Sequence, residues 1–302
     1  MPEIVVLSGK GGAGKTSVTA AFAALSRNAV LCDLDVDAPD LHILLAPRGS
    51  RREPFVAGHL AAIDPARCDG CGECAARCRY GAVSAADRDR FVIHPAHCEG
   101  CKVCVVLCPR QAILFTPRTC GVSAVSDTRY GPFVHARLDP GAENSGRLVA
   151  LLRQKAKALA KEQGRDLILA DGAPGIACPV VSSMTGATLA VLVTEPTPSG
   201  SHDLGRVAAL CDHFRLPTAV ILNKADLNAD EAARIEDACR DAGRPIVGRL
   251  PYSPDVTAAM AARQTLTEYG GPLADALAEA WDNVLALAAA PKPQRNPFAS
   301  KG

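Results

Sequence analysis

Short, unbroken apolar runs recur along the chain: Ile4, Val5, Val6 and Leu7 first, then runs opening at 29 and near 167–171, 188–194, 218–222 and 246–250. Each is too short for a helix and rich in valine, isoleucine and leucine, the pattern of a strand buried on both faces. Between them lie longer stretches with apolar residues three and four apart. "SGRLVALLRQKAKALAKEQG" (145–164) ends in glycine, and "LADALAEAWDNVLALAAA" (273–290) closes the patterned part of the chain; both read as amphipathic helices. Strand alternating with helix predicts an α/β fold, a mostly parallel sheet with helices on both faces.

The alternation breaks once. "APRGSRREPF" (46–55) and "TPRTCG" (116–121) read as polar loops, and the segment between them is dense in cysteine. The expected organisation is one domain over 1–55 and 117–302, with a small inserted domain at 56–116. "YGPFVHARL" (130–138) reads as a strand or a hairpin.

Composition narrows the setting. The 302 residues suffice for one large α/β domain with a small insert. Aromatics make up 4% of a chain that is 48% hydrophobic, so the core rests on Ala, Val, Leu and Ile. Lys plus Arg number 33 against 32 Asp plus Glu, a balance without the basic footprint of a nucleic-acid binder. Residues 4–7 are too short for a signal core, and no apolar stretch reaches the length of a membrane span. A cytoplasmic protein with no membrane anchor is expected. Thirteen cysteines there, an odd number, point to metal ligation over disulfides.

"GKGGAGKT", Gly9 to Thr16, fits the phosphate-binding loop G-x-x-x-x-G-K-[ST], with an apolar strand before it and an alanine-rich helical stretch after it. Glycines let the backbone approach the phosphates and turn its N–H groups toward them. The predicted nucleotide contacts are Gly9, Lys10, Gly11, Gly12, Ala13, Gly14, Lys15, Thr16 and Ser17. Lys15 reaches the β- and γ-phosphates and the Thr16 hydroxyl binds Mg²⁺. With its second lysine, "KGGAGKT" resembles the deviant phosphate loop of the MinD/ParA-type ATPases, the group that includes the nitrogenase iron protein. The resemblance implies ATP and Mg²⁺, slow hydrolysis and a nucleotide-sandwich dimer of this chain, or of this chain with a similar ATPase. In that dimer Lys10 would act across the interface on the partner's nucleotide.

Two further strands end in carboxylates. Asp33, Asp35 and Asp37 alternate after the second strand. A calcium loop is excluded there, since Ala38 stands where its glycine is needed and Leu44 where its glutamate is needed. The segment resembles the family's first switch, which implies that Asp35 positions the attacking water and that Asp33 helps organise Mg²⁺. The apolar strand within "DLILADGAPG" (166–175) ends at Asp171, as it would before an aspartate that holds Mg²⁺. Asn223, Lys224 and Asp226 follow the strand at 218–222. N-K-x-D is the guanine-reading signature, whereas in the MinD/ParA-type ATPases that the loop resembles the asparagine reads adenine. ATP is therefore expected, with Asn223 at the base and Leu250 and Pro251 as a second wall; Asp226 leaves GTP open.

The cysteines fall into two runs of C-x₂-C-x₂-C-x₃-C: Cys68, Cys71, Cys74 and Cys78, then Cys98, Cys101, Cys104 and Cys108. This is the bacterial two-cluster ferredoxin pattern, in which the fourth cysteine of each run serves the other cluster. Cys68, Cys71, Cys74 and Cys108 are expected to hold one 4Fe–4S cluster, and Cys98, Cys101, Cys104 and Cys78 the second. Zinc prefers two separated pairs to such triplets. Pro109 follows the second run, but Arg79 stands where the first would carry proline. Cys32, Cys211 and Cys239 read as small core residues; Cys120 and Cys178 read as loop residues. His94 and His97 read as hydrogen-bonded loop residues. "HLAAIDPARC" with "YGAVSAAD", and "RFVIHPAHC" with "QAILFTP", supply two halves of a repeated βαβ-like unit.

The chain as a whole resembles MinD-superfamily ATPases carrying an inserted ferredoxin domain. Three functions follow from that resemblance: nucleotide-driven dimerisation coupled to electron transfer, assembly or carriage of an iron–sulfur or molybdenum cofactor, and a positioning ATPase with structural or redox-sensing clusters. The expected partner is a redox or cofactor-assembly protein.

Overall fold

The computed structural model describes residues 1–87, 90–142 and 145–290; the tail at 291–302 lies outside them. In chain order the elements are β1 (Glu3–Ser8), α1 (Lys15–Leu25), β2 (Ala29–Asp33), α2 (Leu41–Leu45), β3 (Arg48–Ile63), α3 (Glu73–Arg77), β4 (Val83–Asp87), β5 (Arg90–Ile93), α4 (Val103–Leu107), β6 (Ile113–Thr128) and β7 (Gly131–Leu138). There follow α5 (Ser145–Glu162), β8 (Leu167–Pro174), α6 (Cys178–Met184), β9 (Leu189–Thr194), α7 (Pro198–His213), β10 (Thr218–Leu222), α8 (Ala229–Asp241), β11 (Ile246–Arg249), α9 (Asp255–Ala261), α10 (Leu266–Tyr269) and α11 (Pro272–Ala289).

The sheet runs β11-β10-β9-β1-β8-β2-β7-β6-β3, and β4 with β5 forms a separate antiparallel pair. β1 lies between β8 and β9, parallel to both. Its residues are all buried because helices cover both faces. The parallel register sets Val6 beside Asp171 and Asp33 beside Asp171. The carboxyl ends of β1, β2 and β8 therefore meet, which is where open α/β sheets bind ligands. Phe22 of α1 meets Trp281 of α11 at a ring separation of 4.7 Å in the core.

The chain divides into two compact units. Among the described residues, the first comprises 1–52, 123–137 and 145–290; the second comprises 53–87, 90–122 and 138–142. Both divisions near 52 and 122 fall inside strands. Residues 46–55 and 116–121, expected as loops, lie largely in β3 and wholly in β6. The expectation failed because it rested on polarity. β3 ends the sheet order, and its Arg48, Arg51, Arg52 and Glu53 are exposed. Charge on an edge strand does not oppose pairing and guards the free edge. Segment 130–138 resolves into the single strand β7.

The second unit is a repeat. Its order is β3-α3-β4-β5-α4-β6, with β3 and β6 entering from 53 and leaving by 122. In each half a left-handed residue, Gly72 or Lys102, precedes the short helix. In each half the fourth cysteine's sulfur accepts a backbone N–H four residues on: Ala82 to Cys78 and Ala112 to Cys108, both at 3.3 Å. Ala61, Ala82, Ile93, Cys98 and Ile113 form its small core.

Candidate functional site

β1 hands the chain to the glycine loop, and α1 begins at Lys15. Gly12 and Gly14 adopt φ of 81° and 96°, where a side chain is strained. A Cβ on Gly14 would also strike the Asn223 amide. A cleft of about 490 Å³ opens over this loop. Gly11, Gly12, Gly14, Lys15, Thr16, Ser17, Asp35, Asn223, Lys224, Leu250 and Pro251 line it, all expected from the sequence.

Lys15 is the centre of the charge arrangement. Its Nζ lies 3.0 Å from Asp171 Oδ1 and 3.6 Å from Asp35 Oδ2. Thr16 Oγ1 donates to Asp171 Oδ2 at 2.8 Å, and Thr19 Oγ1 donates to Asp171 Oδ1 at 2.9 Å. Asp33, buried next to Asp171, accepts the N–H groups of Asp35 and Leu41. One buried cation thus stands among three carboxylates. Burial works against the Lys15 charge, but Asp171 and Asp35 outweigh it and hold its pKa above the ordinary value. Burial pushes the Asp33 carboxyl well up, aided by repulsion from Asp171. Burial likewise raises Asp35, against the pull of Lys15. Hydroxyl and carboxylate oxygens with surplus negative charge are the donor set a hard divalent cation takes.

Three predicted residues do something else as well. Asn223 Nδ2 donates to Ala13 O at 2.9 Å, so the residue expected at the base braces the phosphate loop. Asp226 Oδ1 accepts the Tyr252 N–H at 2.6 Å. Lys10 Nζ turns to Glu195 at 2.6 Å. Gly9 is required for another reason: a Cβ there would meet Asp203 at 2.5 Å.

Sequence reasoning missed Thr19 and Glu195. Thr19 sits four residues after Lys15 on α1, one turn along the same face, a spacing that was readable. Glu195 follows β9 directly, and a carboxylate at the carboxyl end of a central strand was the available signal.

The eight run cysteines separate into two sets of four. Cys68, Cys71, Cys74 and Cys108 line one cavity, with Ile63 and Phe91; Cys78, Cys98, Cys101 and Cys104 line another, with Ala61 and Ile93. Among the described residues no group of three or more His, Cys, Asp or Glu side chains is arranged to hold a metal ion. The cysteines surround cavities and do not converge on a point. Of the others, Cys32, Cys211 and Cys239 are buried as expected. The loop readings of the remaining two are corrected. Cys120 lies buried in β6, its thiol donating to Ala57 O at 3.1 Å, and Cys178 is the exposed first residue of α6. His94 meets Ser84 at 2.7 Å.

A model of the CobQ/CobB/MinD/ParA nucleotide-binding domain matches residues 4–266. An uncharacterised protein of Methanocaldococcus jannaschii is 29% identical over 229 residues, 75% of this chain and 79% of its own. Among solved structures, the Pyrococcus furiosus cell division ATPase MinD superposes with a TM-score of 0.57 at 18% identity, covering 95% of this chain and 99% of its own. The Pyrococcus horikoshii septum site-determining protein MinD, complexed with Mg-ADP, gives 0.56 at 18% identity over 95% of this chain and 97% of its own. At these identities the two structures speak for the fold.

Proposed function

The chain belongs to the CobQ/CobB/MinD/ParA nucleotide-binding family, and from that premise we propose that it is a MinD/ParA-type P-loop ATPase whose inserted unit is a two-cluster ferredoxin, coupling nucleotide-driven dimerisation to electron transfer. The observation that carries the reading is the sorting of eight cysteines, four to a cavity, with the fourth of each run exchanged. That exchange is the interleaving a two-cluster ferredoxin needs.

The nucleotide with Mg²⁺ supplies the phosphoanhydride and a Lewis acid, and the two 4Fe–4S clusters supply one-electron storage. The remainder is work for the chain's residues. Backbone N–H groups of the glycine loop hold the phosphates, and Lys15 offsets their charge. Thr16 and Asp171 would hold the metal, with Asp33 behind them. Asp35, at the cleft wall, orients the attacking water and takes its proton; its raised pKa suits that role. Asp226 Oδ1 accepts the Tyr252 N–H, and ATP is the nucleotide that the two-lysine loop favours.

The test is Mg-ATP hydrolysis by anaerobically purified protein, with iron and sulfide quantified, in the oxidised and dithionite-reduced states. A rate that changes with redox state is expected. Equal rates would sink the coupling, and absent iron would sink the clusters. One observation favours cofactor assembly instead: Cys71 and Cys101 are exposed, so a cluster edge would be open to an acceptor. Loss of iron to an apo-protein on ATP addition would select that reading.

A further inference from the structure

The two halves of the inserted unit expose the same positions and fill them differently. On α3 the exposed residues are Glu73, Ala76 and Arg77; their counterparts on α4 are Val103, Val106 and Leu107, exposed as well. Glu73 and Arg77 make an ion pair along α3, at 3.8 Å. On α4 the same places are apolar, and Val106 is 73% exposed. The polar version on α3 shows that the unit folds without apolar side chains there. Their presence on α4 leaves branched apolar surface in water, which a partner protein would cover.

The helix touches both cysteine sets. α4 carries Cys104, which lines the cavity of Cys78, Cys98 and Cys101, and it runs directly into Cys108, which lines the other. The charges beside these cavities differ. At the cavity of Cys108, Asp69 meets Arg110 at 2.6 Å and Glu73 meets Arg77, so the charges cancel in pairs. At the cavity of Cys104, Lys102 is a lining residue and Arg79 stands between two others, Cys78 and Tyr80. Both cations are exposed, and neither is ion-paired among the described residues. Lys102 Nζ lies instead 5.9 Å from the centre of the Phe115 ring. Glu99 is the one carboxylate that lines this cavity. An apolar helix face beside unpaired cations complements a protein whose own contact surface is acidic.

We propose that the exposed face of α4 docks an acidic one-electron carrier protein, with Val103, Val106 and Leu107 at the centre of the contact and Arg79 and Lys102 at its rim. The proposal rests on the ferredoxin reading of the inserted unit. The step it serves passes one electron between the cluster of Cys78, Cys98, Cys101 and Cys104 and the carrier's cofactor. The reduced member of the pair loses that electron, the oxidised member gains it, and no covalent bond changes. The cations steer the encounter and the apolar centre excludes water, the division of labour of a small, short-lived redox contact.

The test mixes the full, anaerobically purified chain, reduced and freed of dithionite, with an oxidised small acidic b-type cytochrome in a stopped-flow spectrometer, and separately with a neutral quinone. The ratio of the two second-order rate constants cancels changes in cluster potential. In wild type the ratio should fall as salt rises, because steering is screened. Val106→Glu sets acid against acid at the centre and should lower the ratio at least ~10-fold, as should Arg79→Glu combined with Lys102→Glu. Ala76→Glu, the equivalent place on α3, should leave it within about 2-fold of wild type. Carbodiimide cross-linking of the two oxidised proteins, read by peptide mass spectrometry, should join Lys102 to a cytochrome carboxylate without any electron flow.

An unchanged ratio in Val106→Glu, an equal loss in Ala76→Glu, or cross-links that avoid Lys102 would overturn the proposal. So would nucleotide-free wild type that self-associates in sedimentation velocity and is dispersed by Val106→Glu, since α4 would then belong to a second copy of the chain. Protein without iron, or with iron that dithionite does not reduce, sinks the ferredoxin reading and the proposal together. Iron-loaded, reducible protein whose ratio is indifferent to α4 sinks the docking surface alone.

Discussion

Lys15 shows how much one side chain carries in this site. It is the buried cation against Asp171 and Asp35, with Asp33 close behind. Changing it to alanine removes the proposed phosphate contact and leaves buried carboxylates uncompensated. Breaking a buried pair costs about 3–5 kcal/mol. Lys15→Ala should therefore lose Mg-ATP hydrolysis by at least ~100-fold. It should also melt earlier, with Mg²⁺ recovering more stability in the variant than in wild type. Denaturation with and without Mg²⁺ checks this; equal recovery in both proteins would mean that the carboxylates do not share a cation site.

Among the elements, the hairpin between β6 and β7 ties the first unit together through Arg129. Its guanidinium meets Glu268 with two hydrogen bonds, at 2.7 and 2.8 Å, and donates to the Leu44, Leu45 and Arg263 carbonyls. Leu44 and Leu45 are the last residues of α2, where carbonyls lack helical partners. Glu268 in turn completes the capping box of α10 with Thr265. The hydrogen bond from Arg129 lowers the Glu268 pKa from 4.5 to about 2. A carboxylate held down in the folded state contributes stability above its unfolded pKa and loses it as pH falls through the folded one. Stability should then fall between about pH 4.5 and 2. In Glu268→Gln that portion of the acid dependence should disappear; urea melts across the range decide it, and an unchanged slope would remove Glu268 as its source.

At the scale of the molecule, the division of cysteines between two cavities repeats the exchange expected from the run pattern and makes it testable. If ligation is exchanged between runs, Cys108→Ala should lose the same cluster as Cys68→Ala, about half the iron. The two together should lose no more than either one. Cys108→Ala with Cys98→Ala should lose nearly all of it. Iron analysis with electron paramagnetic resonance of the reduced protein distinguishes these; a Cys108→Ala, Cys98→Ala pair that still keeps half would mean each run binds its own cluster.

Much of this was legible in order along the chain because its physical cause is local. Ile4 to Leu7 reads as a strand and Gly12 and Gly14 as a phosphate loop, since burial on both faces and positive φ each demand particular residues at particular spacings. The parallel α/β fold and the cleft residues Gly11, Gly12 and Gly14 to Ser17 followed from that. Asp33, Asp35 and Asp171 could be singled out as strand-end carboxylates, but only the β2–β8 register makes Asp33 a neighbour of Asp171 and so drives its pKa up. β3 and β6 were misread at 46–55 and 116–121 because their polar residues satisfy the backbone through partner strands, β3 at the end of the sheet order and β6 between β7 and β3. Glu195 could be noticed as a carboxylate after a central strand, but its pairing with Lys10, 185 positions away, left no periodicity to read. Residue type and spacing determined which elements form and which chemistry the chain carries. Tertiary packing decided which charges meet, since electrostatic interaction falls with distance in space and takes no account of distance in sequence.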